Sequence, residues 1–246
     1  MITDSLKICS LNCRSLNGQR KRLDTFDYIK KLSCDIVCLQ DTHFTKVQFN
    51  DIYTEWNGHC THSTARSNAR GVSILFNKKL DYTIHRQLCD ENGNFVLIDL
   101  SVSKNRFTLA AAYFPNSDKP TFIEHLFSAI DSFDNNSYML CGDFNLVLDP
   151  EIDYYNYKTV GNKNVRLKLL QYIEDRQFVD PYRELYPDSK RFTWRRTNPL
   201  QQARLDFYLT TSDLSTYIYD TNIGLSYNSD HSPVLLYFKF EDNEHG

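Results

Sequence analysis

Acids, amides and one imidazole recur in this sequence where strands would end: at Asn12, at Asp41, in Gly142-Asp143-Phe144-Asn145 and in Ser229-Asp230-His231-Ser232-Pro233. Asp143 and Asn145 are two apart, so in extended backbone both project to the same side. Asp230-His231 sets a carboxylate beside an imidazole, the group whose charge changes near neutral pH. Asp206 lies inside the apolar stretch Arg204-Leu205-Asp206-Phe207-Tyr208-Leu209. A charge there needs a partner, which protonated His231 would supply. Such a set suits phosphodiester hydrolysis. That reaction needs a cation on the phosphate oxygens, a group to orient or deprotonate water, and stabilisation of the departing oxygen. Hard oxygen ligands suit Mg²⁺, which one or two carboxylates suffice to hold, and Asn12, Asp41 and Asp230 are the candidates. Each signal alone has a plainer reading: Asn12 as a turn residue, Asp41 as a cap, the other two stretches as ordinary turns.

These residues need elements to carry them. Leu6–Asn12 alternates with period two and reads as a strand ending at Asn12. A helix over about Arg20–Leu32 follows, with Leu23, Phe26, Ile29, Lys30 and Leu32 giving a modest apolar stripe. Asp35–Gln40 is then a buried strand ending at Asp41. Strands are predicted over Gly71–Phe76, Asn94–Val102 and Arg106–Phe114, the last two joined by the Ser103-Lys104-Asn105 turn. A helix over Thr121–Phe133 leads into a strand from Tyr138 to the Asp143 turn, and a further helix covers Val165–Asp175. Strands over Phe192–Arg196 and Ala203–Thr210 flank the Thr197-Asn198-Pro199-Leu200 turn, and Pro233–Phe240 is the last strand. Asp149–Asn164, rich in Asp, Asn and Tyr, reads as an active-site loop rather than a domain boundary. The pattern implies an α/β fold, a four-layer α/β sandwich of two packed, mostly antiparallel β-sheets with helices on the outer faces. The polar strand ends then gather along one rim.

Length and composition fit one domain over residues 1–246: hydrophobic residues at 41%, with 16 Tyr and 16 Phe, suffice for a sizeable core. The formal net charge of -3 gives no global positive field, so binding of a polyanion must be local. Apolar stretches reach only strand length, which implies no membrane span. Cys9/Cys13 and Cys34/Cys38 are spaced as zinc ligands sometimes are, but they fall in or beside predicted strands, and buried free thiols are the better account.

The order along the chain, from strand-end Asn to acid, Tyr, acid-x-Asn turn, strand Asp and final Asp-His, resembles the endonuclease/exonuclease/phosphatase superfamily, which includes DNase I and the apurinic endonucleases. Four stretches are most similar to the endonuclease domain of non-LTR (LINE-type) retrotransposons: Leu39-Gln40-Asp41-Thr42-His43, Ala112-Tyr113-Phe114-Pro115-Asn116, Ala203-Arg204-Leu205-Asp206-Phe207 and Ser229-Asp230-His231-Ser232-Pro233. The resemblance implies an Mg²⁺ enzyme, with Mn²⁺ able to substitute, that nicks one strand of duplex DNA and leaves a 3′-hydroxyl to prime reverse transcription. It implies a monomeric domain, the N-terminal part of a polyprotein with a reverse transcriptase domain, acting in the nucleus. By the same resemblance Asn12, Asp41 and Asp230 surround the metal. Asp143, assisted by Asn145, orients or deprotonates the water. His231, held by Asp206, stabilises developing charge, and Tyr113 and Asn116 contact the phosphate. Position 41 departs from the family pattern, Asp replacing the usual Glu, a side chain shorter by roughly 1.5 Å.

For DNA contact the sequence offers Arg191, Thr193, Arg195, Arg196 and Arg204 around the predicted hairpin, which in the retrotransposon enzymes probes the minor groove, with a solvated hairpin face as the plainer reading. Arg66 and Arg70 form a second cluster, equally readable as a surface loop. Two other functions fit the same residues: a phosphoesterase of this fold acting on a small phosphoester, and a DNA-binding module whose catalysis is impaired at Asp41.

Overall fold

The computed structural model describes residues 5–65, 69–157 and 162–240. Its strands form two large sheets and one small one. In the first large sheet the order is β13 (Ile218–Ile223), β14 (Val234–Lys239), β1 (Ser5–Asn12), β2 (Ile36–Gln40), β4 (Val72–Phe76) and β3 (Cys60–Ser63). The second runs β12 (Asp206–Thr210), β8 (Tyr138–Asp143), β7 (Asn105–Tyr113), β6 (Phe95–Val102) and β5 (Tyr82–Cys89). Among the described residues only β1–β2 and β7–β8 pair in parallel, and the other strand pairs are antiparallel.

Period-two alternation divides the side chains of these strands between two cores. Ile8, Ile36, Cys38 and Ile74 face Val96, Ile98, Leu109 and Cys141 between the sheets. Their sequence neighbours Cys9, Val37, Leu39 and Leu75 face outward against Phe26 and Ile29 of α1 (Gln19–Lys31) and Ile52 and Trp56 of α2 (Phe49–Trp56). On the far side Leu97, Ala110 and Leu140 meet Ile123, Leu126 and Phe127 of α3 (Thr121–Asp131) and Val165 and Leu169 of α4 (Lys163–Asp175). The result is the expected four-layer α/β sandwich, and burial on both faces explains why β2 is apolar throughout. All seven cysteines are free thiols, six of them buried, as expected. Among the described residues no helix is long and apolar enough to cross a membrane.

Three features differ from the sequence expectation. Strands β3, β5 and β13 and helices α2, α5 (Pro181–Leu185) and α6 (Ser212–Ser215) were not anticipated. β5 and β13 are sheet edges whose side chains are half-exposed or exposed along most of their length, so they lack the apolar signal of a covered strand. The predicted strand Ala203–Thr210 is two strands. β11 (Leu200–Ala203) belongs to a small sheet with β10 (Trp194–Thr197) and β9 (Tyr154–Tyr155), whereas β12 starts afresh at Asp206 in the large sheet. Asp206 therefore stands at a strand start and not mid-strand. Finally, the loop Asp149–Asn164 carries β9, and its residues 158–161 lie outside the described residues.

Candidate active site

Strand register brings the distant acids together. Because β12 runs antiparallel to β8, its first residue, Asp206, lies opposite the last residue of β8, Asp143. Parallel pairing of β7 with β8 sets Tyr113 beside Asp143 on the other flank. On the facing sheet Asn12 ends β1, paired with Gln40 at the end of β2, which places Asp41 one residue beyond. The turn after Asp143 is fixed locally. Gly142 has φ +145°, and a Cβ there would lie 1.8 Å from the Ala112 carbonyl oxygen, so only glycine fits. Phe144 stacks on Phe207 at 3.8 Å between ring centroids and packs against Phe114, anchoring the turn from below. Truncating such a buried ring costs about 3–5 kcal/mol.

His231 links the two acids. Its Nδ1 lies 2.7 Å from Asp206 Oδ2, and its Nε2 lies 3.8 Å from Asp143 Oδ2. Asp143 is 1% exposed; its Oδ1 accepts the Asn145 backbone N–H at 2.9 Å and its Oδ2 the Asn12 Nδ2 at 2.7 Å. Burial, aided by the charge of Asp206, raises the Asp143 carboxyl to about 7 against the pull of His231, Asn145 and Asn12. For His231, burial disfavours the charged ring, but the carboxylates of Asp206 and Asp143 outweigh it and raise the imidazole to about 9. Two carboxylates thus share one imidazolium in a dry environment. Tyr113 is also raised, by burial first and then by Asp41 and Asp143, so it stays a donor. Asn145 spends its side-chain amide on the Phe114 carbonyl at 2.7 Å, which leaves its backbone N–H as its hold on Asp143.

Above this row lies one cleft lined by Asn12, Asp41, Tyr113, Asn116, Asp143, Asn145, Asp230 and His231, so eight of the residues singled out in the sequence come together. Asp206 completes the set from behind His231. Four neighbours had not been singled out: Arg14, Tyr157, Trp194 and Leu205. Arg14 pairs with Asp230 at 3.2 Å, and Trp194 Nε1 donates to the same carboxylate at 3.2 Å. His43 Nε2 lies 3.0 Å from Asp41 Oδ1. Asp143, Asp206 and His231 each offer a ligand atom within 4.8 Å of the others. There, however, the imidazole already stands between the carboxylates. A second set of oxygen donors lines the same cleft, Asn12, Asp41 and Asp230. Asn12 is 4% exposed, its Oδ1 accepting the Arg14 backbone N–H at 2.9 Å. The two carboxylates are 16% and 28% exposed and paired with His43 and Arg14, and their donor type is the one a hard divalent cation takes.

The residues expected to touch DNA divide sharply. Arg195 and Arg196 are exposed on β10, Asn116 is exposed in the cleft lining, and Arg70 is exposed with its carbonyl accepting the His43 backbone N–H at 2.7 Å. Arg191 holds the Asn222 side chain at 2.8 Å and the Ile223 carbonyl. Arg204 is a correction. It is 1% exposed, its Nε 2.7 Å from Asp153 Oδ1 and its Nη2 2.7 Å from Asp180 Oδ2, so its charge is spent inside the protein. Thr193 is another: it is buried, and its Oγ1 accepts the Leu205 and Asp206 backbone N–H groups at 3.0 Å each, which fixes the start of β12. Arg66 lies outside the described residues.

Known proteins bear on this geometry. The chain is 26% identical to an exodeoxyribonuclease of Bacillus subtilis over 94% of its length and 98% of the relative's. It is 28% identical to a DNA repair nuclease of Danio rerio, over 95% of this chain and 82% of that one. An AP endonuclease from Leishmania major superposes with a TM-score of 0.78 at 18% identity, over 96% of this chain and 88% of that one, which establishes the shared fold. The model of the endonuclease/exonuclease/phosphatase family matches residues 9–231, which span every residue of the row and the cleft. The chain therefore belongs to that family of metal-dependent nuclease and phosphatase hydrolases and is an enzyme of that class.

Proposed function

We propose that this chain is a Mg²⁺-dependent endonuclease, with Mn²⁺ able to replace the ion, that nicks one strand of duplex DNA and leaves a 3′-hydroxyl. One observation carries the reading: the buried row Asp206–His231–Asp143 lies at the foot of a cleft walled by Asn12, Asp41 and Asp230. The relatives from Bacillus subtilis and Danio rerio are named for action on DNA, which supports DNA as the substrate here.

In this reading Asp143, whose proton affinity lies near neutrality and whose oxygens Asn12 and Asn145 hold in place, orients the attacking water and takes its proton. His231 commits Nδ1 to Asp206 and is charged at neutral pH, so Nε2 remains to offset negative charge building on the phosphoryl oxygens. Tyr113 and Asn116 donate to the phosphate from the cleft wall. Asn12, Asp41 and Asp230 would hold the cation, which when bound neutralises the phosphate and the departing oxygen. Position 41 loses roughly one C–C bond of reach relative to Glu, and His43 at 3.0 Å fixes what remains of its range. The stretches Leu39–His43, Ala112–Asn116, Ala203–Phe207 and Ser229–Pro233 further support a retrotransposon endonuclease. Its nick primes the reverse transcriptase domain of the same polyprotein, the domain itself being monomeric and working on chromosomal DNA in the nucleus.

Conversion of supercoiled plasmid to open circle in Mg²⁺ tests the proposal. Asp143→Ala should lower that rate by about 10²–10⁴-fold while the variant melts as a folded protein. Full residual nicking in the variant would sink the assignment. Faster turnover of soluble phosphate monoesters than of plasmid would replace DNA with a small phosphoester.

A further inference from the structure

Two depressions with basic side chains adjoin the active-site cleft, and Asp230 lines both of them as well as the cleft. One is lined by Lys190, Arg191 and Arg195. The other is lined by Arg14, Arg20 and Lys21 with the acids Asp24 and Asp230. Arg14 pairs with Asp230 at 3.2 Å, the exposed Arg20 lies 4.0 Å from Asp24, and Lys21 Nζ donates to the Cys13 and Arg14 carbonyls, so the surplus there is one positive charge. Between them stands the loop that links β13 to the Asp230-His231 turn. Ile223, Gly224, Leu225 and Ser226 face the first channel, while Asn228 and Ser229 face the second. Leu225 is 83% exposed on this divider, well beyond an ordinary surface leucine, and Tyr227 is 41% exposed.

The divider is held rigidly. Tyr28 of α1 stacks on Tyr227 at 4.9 Å between centroids and donates its hydroxyl to the Leu225 carbonyl at 2.6 Å. The backbone at Leu225 is thereby pinned while its side chain stays in solvent. An apolar side chain displayed on a fixed loop between two cationic channels matches a ligand with two anionic edges and a less polar interior.

We infer that the loop 224–229 is a divider seated in a groove of duplex DNA, with one phosphate backbone in the Lys190/Arg191/Arg195 channel, the other in the Arg14/Arg20/Lys21 channel, and Leu225 against the base or sugar edges between them. The inference rests on the DNA-nicking function proposed above and adds to it which surfaces take the two strands. Asp230, common to both channels and to the cleft, marks where the cut strand meets the catalytic residues. Charge complementarity and continuity with the cleft select this occupant. A single strand would need only one channel, and a small phosphoester neither.

Anisotropy of a short labelled duplex and of its separate strands, titrated with protein in EDTA over a range of salt, tests the assignment. Lys190 and Arg20 suit the test because both side chains are exposed and neither lines the catalytic cleft. Lys190→Glu and Arg20→Glu should each weaken duplex binding by about tenfold and lower the salt slope by about one phosphate contact, and the double variant should show both losses. A single strand should respond to one of the two reversals only. Leu225→Ser should redistribute nick positions along a long duplex while the salt slope stays that of the parent. A parent that nicks and binds duplex while either reversal leaves affinity and slope untouched overturns the divider alone. Equal sensitivity of duplex and single strands to both reversals overturns it too, as does an unchanged nick pattern in Leu225→Ser. A parent that neither binds nor nicks duplex DNA overturns the underlying function with it.

Discussion

Two groups of buried charge lie within a few residues of each other in this protein, and they are built on opposite principles. In the catalytic row, Asp143 and Asp206 face one imidazole, and Asp206 Oδ1 has no protein partner among the described residues. In the knot behind it, Arg204 and Arg183 both grip Asp153, with Arg204 Nε at 2.7 Å and Nη2 also 2.7 Å from Asp180. Arg204 is further covered by the rings of Phe207 and Tyr182. Burial pushes the Asp153 carboxyl up, but the two guanidiniums more than offset it and hold it below the usual carboxylate range. Asp143, whose counter-charge is itself titratable, is raised instead. A guanidinium stays charged under all working conditions, so the knot has one protonation state and serves as a fastener. An imidazole shared by two acids leaves protons movable near neutrality, which is what the chemistry requires.

Removing one partner from the knot should give the largest change in stability. Arg204→Met keeps the buried volume but leaves Asp153 with Arg183 alone and Asp180 without a counter-charge, a loss of about 3–5 kcal/mol. For a chain of this size that corresponds to roughly 10 °C in melting temperature. Thermal unfolding followed by circular dichroism reads it, and a variant that melts with the parent would show that the knot contributes no more than a surface pair.

The matching change in the row should separate activity from stability. Asp206→Asn removes the carboxylate that holds His231 charged and oriented, so nicking should fall by about 10²–10³-fold. Stability should fall where His231 is protonated in the parent, because the buried imidazolium loses the carboxylate at 2.7 Å, but by less than in Arg204→Met, since Asp143 still faces the ring. His231 would then lose its proton at lower pH, and the alkaline limb of the nicking profile should move down with it. A parent-like profile with a large drop in melting temperature would assign Asp206 to the fastener instead.

This contrast also marks how far the sequence could be read. The row was legible because strand-end acids occur at fixed points of a chain order, and because an acid next to apolar residues demands a counter-charge; register then confirmed that Asp206 opposes Asp143. The four layers were legible from strands such as β2, buried on both faces. Arg204 was misassigned to the DNA surface because an arginine near a hairpin looks solvated until its partners are known. Those partners, Asp153 and Asp180, lie in a loop and at the cap of the short helix α5 (Pro181–Leu185), with no sequence period linking them to it. Thr193 was missed as a brace for the same reason. Arg14 carried no signal at all, since its pairing with Asp230 spans most of the chain.

The smallest expected effect is the most discriminating, because the two groups should respond to pH in opposite directions. In the row, the His231 ring is raised from its ordinary value of 6.5 to about 9. The stability it contributes is complete below about 6.5 and is lost as pH rises through about 9. Asp143, raised from 3.8 to about 7, holds its proton more tightly when folded, so folding also loses ground as pH climbs through that range. Both effects therefore lower stability on the alkaline side, by an amount on the order of 2 kcal/mol, given that the two groups share one interaction. In the knot Asp153 is lowered, so its contribution is complete above the usual carboxylate range and is lost only on acidification. Melting temperatures of the metal-free protein should accordingly decline between about pH 6.5 and pH 9 in the parent and decline less in Asp206→Asn, since that variant weakens the hold on the His231 proton. Arg204→Met should keep the alkaline decline of the parent and lose part of the acid-side fall. Parallel profiles in all three proteins would mean that the row and the knot are one electrostatic unit, and the distinction between a fastener and a proton-sharing site would fall.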